Sequence, residues 1–143
     1  MKKNFKYHHL GKVVKSITQQ YTFYQKLGYK ILPGFEQKKP DRRQSVLVGV
    51  VKKGSILIEL LEPLGKKSPV FNFSKTTQGF HHICYQTNNL KRSKQQFEKK
   101  FGFRQITPVT ISVWDGRPVV FFIDKSMEVI ELIGAINEKK RRD

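Results

Sequence analysis

Residues Tyr7–Leu32 read YHHLGKVVKSITQQYTFYQKLGYKIL, and residues Phe80–Ile106 read FHHICYQTNNLKRSKQQFEKKFGFRQI. The paired histidines coincide at an offset of 73 (His8 onto His81), as do Leu10 with Ile83, Ile17 with Leu90 and Tyr24 with Phe97. One inserted residue then brings Gly28-Tyr29 onto Gly102-Phe103. Farther along, Ser45–Leu61 (SVLVGVVKKGSILIELL) lies on Arg117–Ile133 (RPVVFFIDKSMEVIELI) at an offset of 72 without a gap, and Glu59 falls on Glu131. The chain is two copies of one unit. It is not a solenoid, whose repeats are shorter and more numerous.

Each copy predicts the same elements. A strand comes first, over about 7–14 and 80–87. A helix follows over about 16–27, with Ile17, Tyr21, Tyr24 and Leu27 near helical spacing and Ser16 as N-cap. Its counterpart covers about 89–100, with Leu90, Ser93 and Phe97 on one face and Asn89 as cap. Gly28 and Gly102 stand where a helix C-terminus favours a left-handed residue. A short strand, a loop and two long strands complete the copy: Val46–Val51 to Ile56–Leu61, and Val119–Ile123 to Glu128–Ile133. Lys53-Gly54 and Lys125-Ser126 suit the tight turns between them. The predicted class is α+β, as two tandem βαβββ modules within one domain spanning 1–143. Module one covers about 5–64, a linker containing Pro69 about 65–78, module two about 79–135, and a basic tail 136–143.

All four histidines sit in the two His-His pairs. Strand alternation separates the members of each pair. His9 shares a face with Gly11 and Val13, and His82 with Cys84 and Gln86. The small residues there leave room beside the imidazoles, as in a cavity wall. His8 and His81 share the other faces with Leu10 and Val14, and with Ile83 and Tyr85, which is the side a helix packs against. The fourth strands hold a second anomaly: Glu59 stands amid Ile56-Leu57-Ile58 and Leu60-Leu61, and Glu131 amid Val129-Ile130 and Leu132-Ile133. A buried carboxylate costs several kcal/mol unless it is paired or ligates a metal. Two imidazoles and two carboxylates at equivalent positions make an N2O2 set for one divalent metal: Zn, Co, Ni, Mn or Fe. Duplicated ancestry without a metal is the competing account.

The bulk properties frame that reading. The length, 143 residues, suits one compact domain with a real core, and 38% of the residues are hydrophobic, with eleven Phe and five Tyr. The single cysteine, Cys84, makes no internal disulfide, in keeping with a reducing, cytoplasmic setting. No signal peptide and no spanning segment is read from the sequence. The net charge is +17, from 28 Lys+Arg against 11 Asp+Glu, which favours an anionic partner. The charge is spread along the chain apart from Lys139–Arg142 and comes with no recognition motif, which argues against nucleic acid.

Together these features resemble the vicinal oxygen chelate superfamily, which includes glyoxalase I, methylmalonyl-CoA epimerase, extradiol dioxygenases and bleomycin-resistance proteins. The resemblance covers roughly residues 5–135. The phrases HHLG with FYQKLGYK, IELLEPLGKKSP, GFHHICYQTNNL and VIEL are most similar to methylmalonyl-CoA epimerase. The resemblance implies a glyoxalase-like fold, a cupped mixed sheet around the metal, with His9, Glu59, His82 and Glu131 as ligands. It implies a metal-dependent isomerase or lyase, in which the metal holds the charge of an enolate formed on a small carbonyl compound or acyl-CoA-like thioester. A base must reach the proton, and the resemblance to glyoxalase I implies Glu131 as both ligand and base.

The sequence departs from the family pattern in two places. Epimerases of the family carry a glutamate near the start of the third strand of module one. Here Arg43 or Gln44 holds that place, with Asp41 a weak substitute. Glyoxalase I carries an arginine four residues after its first ligand histidine, where Val13 stands here, which disfavours glutathione chemistry and a glyoxalase I-like lyase. The rival of a different class is a non-catalytic small-molecule-binding or resistance protein, against which the four retained ligands count. An oxygenase is disfavoured because a fourth protein ligand crowds out oxygen. Trp114 and Arg117, before the third strand of module two, are weaker substrate-binding candidates. Lys66, Lys67, Arg117 and Lys125 are candidates for acyl-CoA phosphates, with plain exposure the competing account. Cys84 is read as an inert core thiol rather than a nucleophile. Modules of this superfamily pair within a chain or exchange between chains, so a homodimer is compatible with the sequence.

Overall fold

A computed structural model describes residues 4–42, 44–76 and 78–136. Arg43 and the Lys139–Arg142 cluster lie outside the described residues. The chain divides into two compact units: His9–His81, and the segment up to His8 together with the segment from His82 onward. Both boundaries fall between the two histidines of a pair.

In the His9–His81 unit, strand β1 (Lys6–Val13) enters with its second half and is followed by helix α1 (Ile17–Lys26). Strands β2 (Lys30–Ile31), β3 (Lys39–Asp41), β4 (Val46–Lys53) and β5 (Ile56–Pro63) come next. The order across the sheet is β2-β4-β5-β1, with β3 also on β4. Strands β1 and β5 are parallel and β4 and β5 antiparallel, so the sheet is mixed. Helix α1 starts where its first amides find acceptors. The Ser16 side chain accepts from the Gln19 amide at 3.2 Å, and a Glu62 carboxylate oxygen accepts from the Ile17 amide at 2.9 Å. Ile17, Tyr21 and Tyr24 of its inner face pack with Val14, Val51, Ile58 and Leu60. Gly28 ends the helix at φ 93. A six-residue helix, α2 (Phe71–Thr76), lies in what the sequence predicts as a linker; the ring of Phe73 meets His81 edge-on at 5.5 Å.

The other unit repeats the plan. Strand β6 (Gly79–Thr87) leads to helix α3 (Leu90–Lys99), whose first turn is capped by Asn89 accepting from the Arg92 amide at 3.0 Å. Strands β7 (Arg104–Gln105), β8 (Thr110–Ile111), β9 (Pro118–Ile123) and β10 (Val129–Gly134) follow. The order is β6-β10-β9-β7, with β8 also on β9, and β6 and β10 are parallel. Leu90, Phe97, Val120, Phe122, Ile130 and Leu132 form its core, with Phe5 against it. The start of the chain is tied in by Asn4, whose side chain donates to Ser93 Oγ at 3.3 Å and accepts from the Asn88 amide at 2.8 Å.

The two copies differ in one structural respect that a gapless alignment hides. Glu59 pairs across its hairpin with Val50, so Glu131 would be expected opposite Phe122; it pairs with Phe121 instead. The slip of one residue is absorbed in the turn. The first hairpin closes on two residues, Gly54-Ser55, with Gly54 at φ 59. The second closes on three, Lys125-Ser126-Met127, with the Met127 amide donating to Asp124 O and Met127 at φ 73. The Asp124 carboxylate braces this turn by accepting from the Ser126 amide and hydroxyl and the Glu128 amide, bonds that hold its pKa below the ordinary value, the Ser126 hydroxyl contributing most. A non-glycine residue in the left-handed region costs roughly 1–2 kcal/mol, partly offset in a Gly replacement by the looser unfolded chain. Met127→Gly is therefore expected to raise stability by about 0.5–1 kcal/mol in urea denaturation, because the 72% exposed side chain loses little packing. An unchanged or lower midpoint would show that the turn tolerates Met without strain.

Candidate functional site

Alternation along β1 and β5 puts His9, Gly11, Glu59 and Leu61 on the face away from α1, whose partners are Ile58 and Leu60. Parallel pairing sets Glu59 beside Gly11, whose lack of a side chain leaves room next to His9. His9 is 1% and Glu59 7% exposed, and His9 Nε2 lies 3.3 Å from Glu59 Oε1. The other unit builds the same pair from β6 and β10. Glu131 lies beside Cys84, His82 is 4% and Glu131 5% exposed, and His82 Nε2 lies 3.1 Å from Glu131 Oε1. Phe121, opposite Glu131, sets the edge of its ring against the His82 imidazole with centroids 5.0 Å apart, which fixes the ring plane.

Each pair suits a metal on chemical grounds. An imidazole nitrogen and a carboxylate oxygen are common donors to divalent transition metals. Two such atoms held about 2.1 Å from one ion, at about 90–109° to each other, lie about 3.0–3.4 Å apart. Both observed separations fall in that range.

The remaining candidates occupy varied places. Arg117 is buried, and its guanidinium is engaged by its own unit. Nε donates to Asp115 at 2.9 and 3.1 Å, Nη1 to Gln86 Oε1 at 2.8 Å and to Gly134 O at 3.3 Å, and Nη2 to His8 Nε2 at 2.9 Å. Accepting through Nε2 makes His8 the tautomer protonated on Nδ1. Trp114 packs its ring edge-on against His8 at 4.9 Å. Cys84 is fully buried with Val119 and Ile133. Gln44 is half-buried, and Lys66, Lys67 and Lys125 are exposed.

Asp41 is among the buried acids. It is 6% exposed at the end of β3, where it pairs with Val46, itself opposite Pro63. Counting alternate residues along β5 from Pro63 to Glu59 puts Asp41 on the same face as His9 and Glu59, two strands across from Glu59. Sequence reading missed Phe121, Gln86 and Asp115 as partners of the site strands. Gln86 alone left a signal, as a polar side chain on the face of His82.

A family model of the Glyoxalase/Bleomycin resistance protein/Dioxygenase superfamily matches residues 8–121. The chain belongs to that superfamily. Its relatives include the human mitochondrial methylmalonyl-CoA epimerase, 28% identical over 120 residues, which is 82% of this chain and 65% of that protein. The chain thus matches slightly less than two thirds of that relative's length. Among solved structures, a hypothetical protein from Bacillus halodurans C-125 covers 99% of both chains at a TM-score of 0.79 and 26% identity. Methylmalonyl-CoA epimerase from Streptomyces coelicolor, bound to 2-nitronate-propionyl-CoA, covers 95% of this chain and 98% of its own at a TM-score of 0.79. At 20% identity that likeness concerns the fold: a mixed, open sheet with few helices, as expected for a glyoxalase-like α+β protein. Among the described residues no helix is long and apolar enough to cross a membrane.

Proposed function

We propose that this protein is a metal-dependent isomerase that exchanges the proton on the carbon beside the carbonyl of an acyl-CoA thioester, in the manner of a methylmalonyl-CoA epimerase. The carrying observation is the pair of buried His–Glu contacts, one in each unit, at equivalent places in the repeat. His9, Glu59, His82 and Glu131 would hold one divalent ion, and Zn, Co, Ni, Mn and Fe all accept such donors. Bound there, the ion supplies Lewis-acid stabilisation of the negative charge that develops on the carbonyl oxygen.

The chain supplies proton transfer and exclusion of water. Glu131 has a second carboxylate oxygen beyond the one near His82, and it serves as a base toward the substrate. Asp41, on the face of His9 and Glu59, would supply the second base, in the role that Arg43 or Gln44 does not fill. Phe121 beside His82 and Glu131, and Val50 and Leu61 on the face of Glu59, give each His–Glu pair apolar neighbours, which would strengthen electrostatic effects there. The charge of +17 favours an anionic thioester. Cys84, buried and the single cysteine of the sequence, accords with a reducing, cytoplasmic setting.

Incubation of the metal-loaded protein with methylmalonyl-CoA in deuterated water tests the reading by mass spectrometry. Deuterium should enter at carbon 2 while the thioester is conserved. Asp41→Asn should retain exchange from one epimer but lose inversion, as one of two bases would. Absence of enzyme-dependent exchange for either epimer would sink the epimerase reading and leave a ligand-binding cup as the better account.

A further inference from the structure

The outer edge of the His9–His81 sheet carries an open pocket of about 420 Å³, a size that admits a small organic ligand. Three lysines line it, Lys30, Lys52 and Lys53, together with Leu32, Pro33 and Gly54, and no acid does so among the described residues. Lys30 and Lys52 stand directly opposite each other in the antiparallel β2–β4 pair. Like charges in that arrangement repel and lower sheet stability. Lys53 is held in place as its Nζ donates to Leu27 O at 2.7 Å, over Gly28, whose missing side chain makes the space.

The duplicated copy is an internal control. At the equivalent edge Arg104 pairs with Ile123, and Asp124 follows. Module two therefore separates its cation from a second one and adds an acid, whereas module one concentrates three cations around a partly apolar hollow. Alternation from Lys52 through Val50, whose partner is Glu59, also sets Lys52 and Lys30 on the face that carries His9 and Glu59.

We propose that this pocket binds the phosphate groups of a nucleoside phosphate, with Lys30 and Lys52 on the anion and Leu32 and Pro33 against the apolar ring, while Lys53, tied to Leu27 O, forms part of the wall. Compact ammonium groups with three donors each suit phosphate oxygens. Identification of that ligand as the nucleotide end of the thioester substrate rests on the function proposed above; binding of the nucleotide itself does not.

The probe is adenosine 3′,5′-bisphosphate, titrated into the ¹⁵N-labelled protein and followed by NMR at physiological salt. Saturable shifts are expected at the amides of Lys30, Leu32, Lys52 and Gly54. Loss of charge-assisted hydrogen bonds in Lys30→Gln/Lys52→Gln should weaken binding by about tenfold or more. A control of equal charge, Lys91→Gln/Lys99→Gln on α3, should leave the affinity within about twofold, since the surface field alone changes equally in both. Shifts scattered over the surface, no saturation, or equal weakening in both double variants would overturn the proposal, and the spectra report directly whether each variant is folded. Because no turnover and no metal enters the readout, failure here leaves the epimerase reading standing. Failure of proton exchange with a tenfold selective effect here would conversely retain the pocket and remove the epimerase.

Discussion

Glu131→Ala is expected to abolish both stable metal retention and proton exchange. The wild-type protein, purified without an affinity tag and analysed for elements, should carry close to one equivalent of Zn, Co, Ni, Mn or Fe. The variant should carry little and take up little on reconstitution. Three reasons make the effect large. The substitution removes one donor of four proposed, and it deletes the carboxylate oxygen that lies 3.1 Å from the buried His82 Nε2. It also deletes the group proposed to carry the proton. Loss of a positioned base alone lowers rate by about 10²–10⁴-fold, so the combined loss should reach at least about 10³-fold. Stability gives an independent readout. A ligand at a hundred times its Kd stabilises a folded protein by about 2.7 kcal/mol, so added metal should raise the wild-type Tm and leave that of Glu131→Ala nearly unmoved. Equal metal content in the two proteins, or equal response of their Tm values to metal, would remove Glu131 from the ligand set.

The site strands were legible in the sequence because burial of a carboxylate is a conflict that a single strand displays. Glu59 among five aliphatics and Glu131 among four needed no tertiary information to stand out, and period-two alternation put His9 rather than His8 on the face of the small residue Gly11; that this is also the face of Glu59 follows from the β1–β5 pairing. The helices were legible through their caps, Ser16 and Asn89. Other features depend on distances along the chain that a local pattern does not record. The register slip that brings Phe121 rather than Phe122 opposite Glu131 is set by a turn of three residues instead of two, and aliphatic and aromatic residues align equally well in either register. In the sequence Arg117 reads as an exposed or substrate-facing cation in the loop before the third strand of module two. Its acceptors lie 31 residues back at Gln86 and 109 residues back at His8, so its burial follows from packing rather than from its neighbours. Helix α2 was missed for a similar reason: six residues give too short a period to separate a helical turn from a linker.

The buried arginine leads to the second large expectation, a loss of about 3–5 kcal/mol in Arg117→Ala. The guanidinium joins four parts of one unit: the Asp115 loop, Gln86 of β6, the Gly134 carbonyl of β10, and His8 of β1. Truncation leaves the oxygens of Gln86 and Gly134 and the His8 nitrogen short of a buried donor, and leaves Asp115 without its ion pair. Breaking a buried charged network by removing one partner costs about 3–5 kcal/mol, most of it from the groups left behind. Arg117→Lys should recover only part of this. One ammonium cannot reproduce the planar fork that reaches Asp115 on one side and Gln86 and His8 on the other. Urea denaturation of the metal-free protein measures the effect without interference from metal linkage. The outcome also separates two roles for the residue. A structural tie predicts a large loss of stability with an unchanged KM in whatever molecules remain folded. A substrate contact predicts the reverse: a raised KM and a denaturation midpoint close to wild type. The first result is expected, because Gln86 and Gly134 belong to the strands that carry His82 and Glu131, and a guanidinium tied to both holds that His–Glu pair at its spacing.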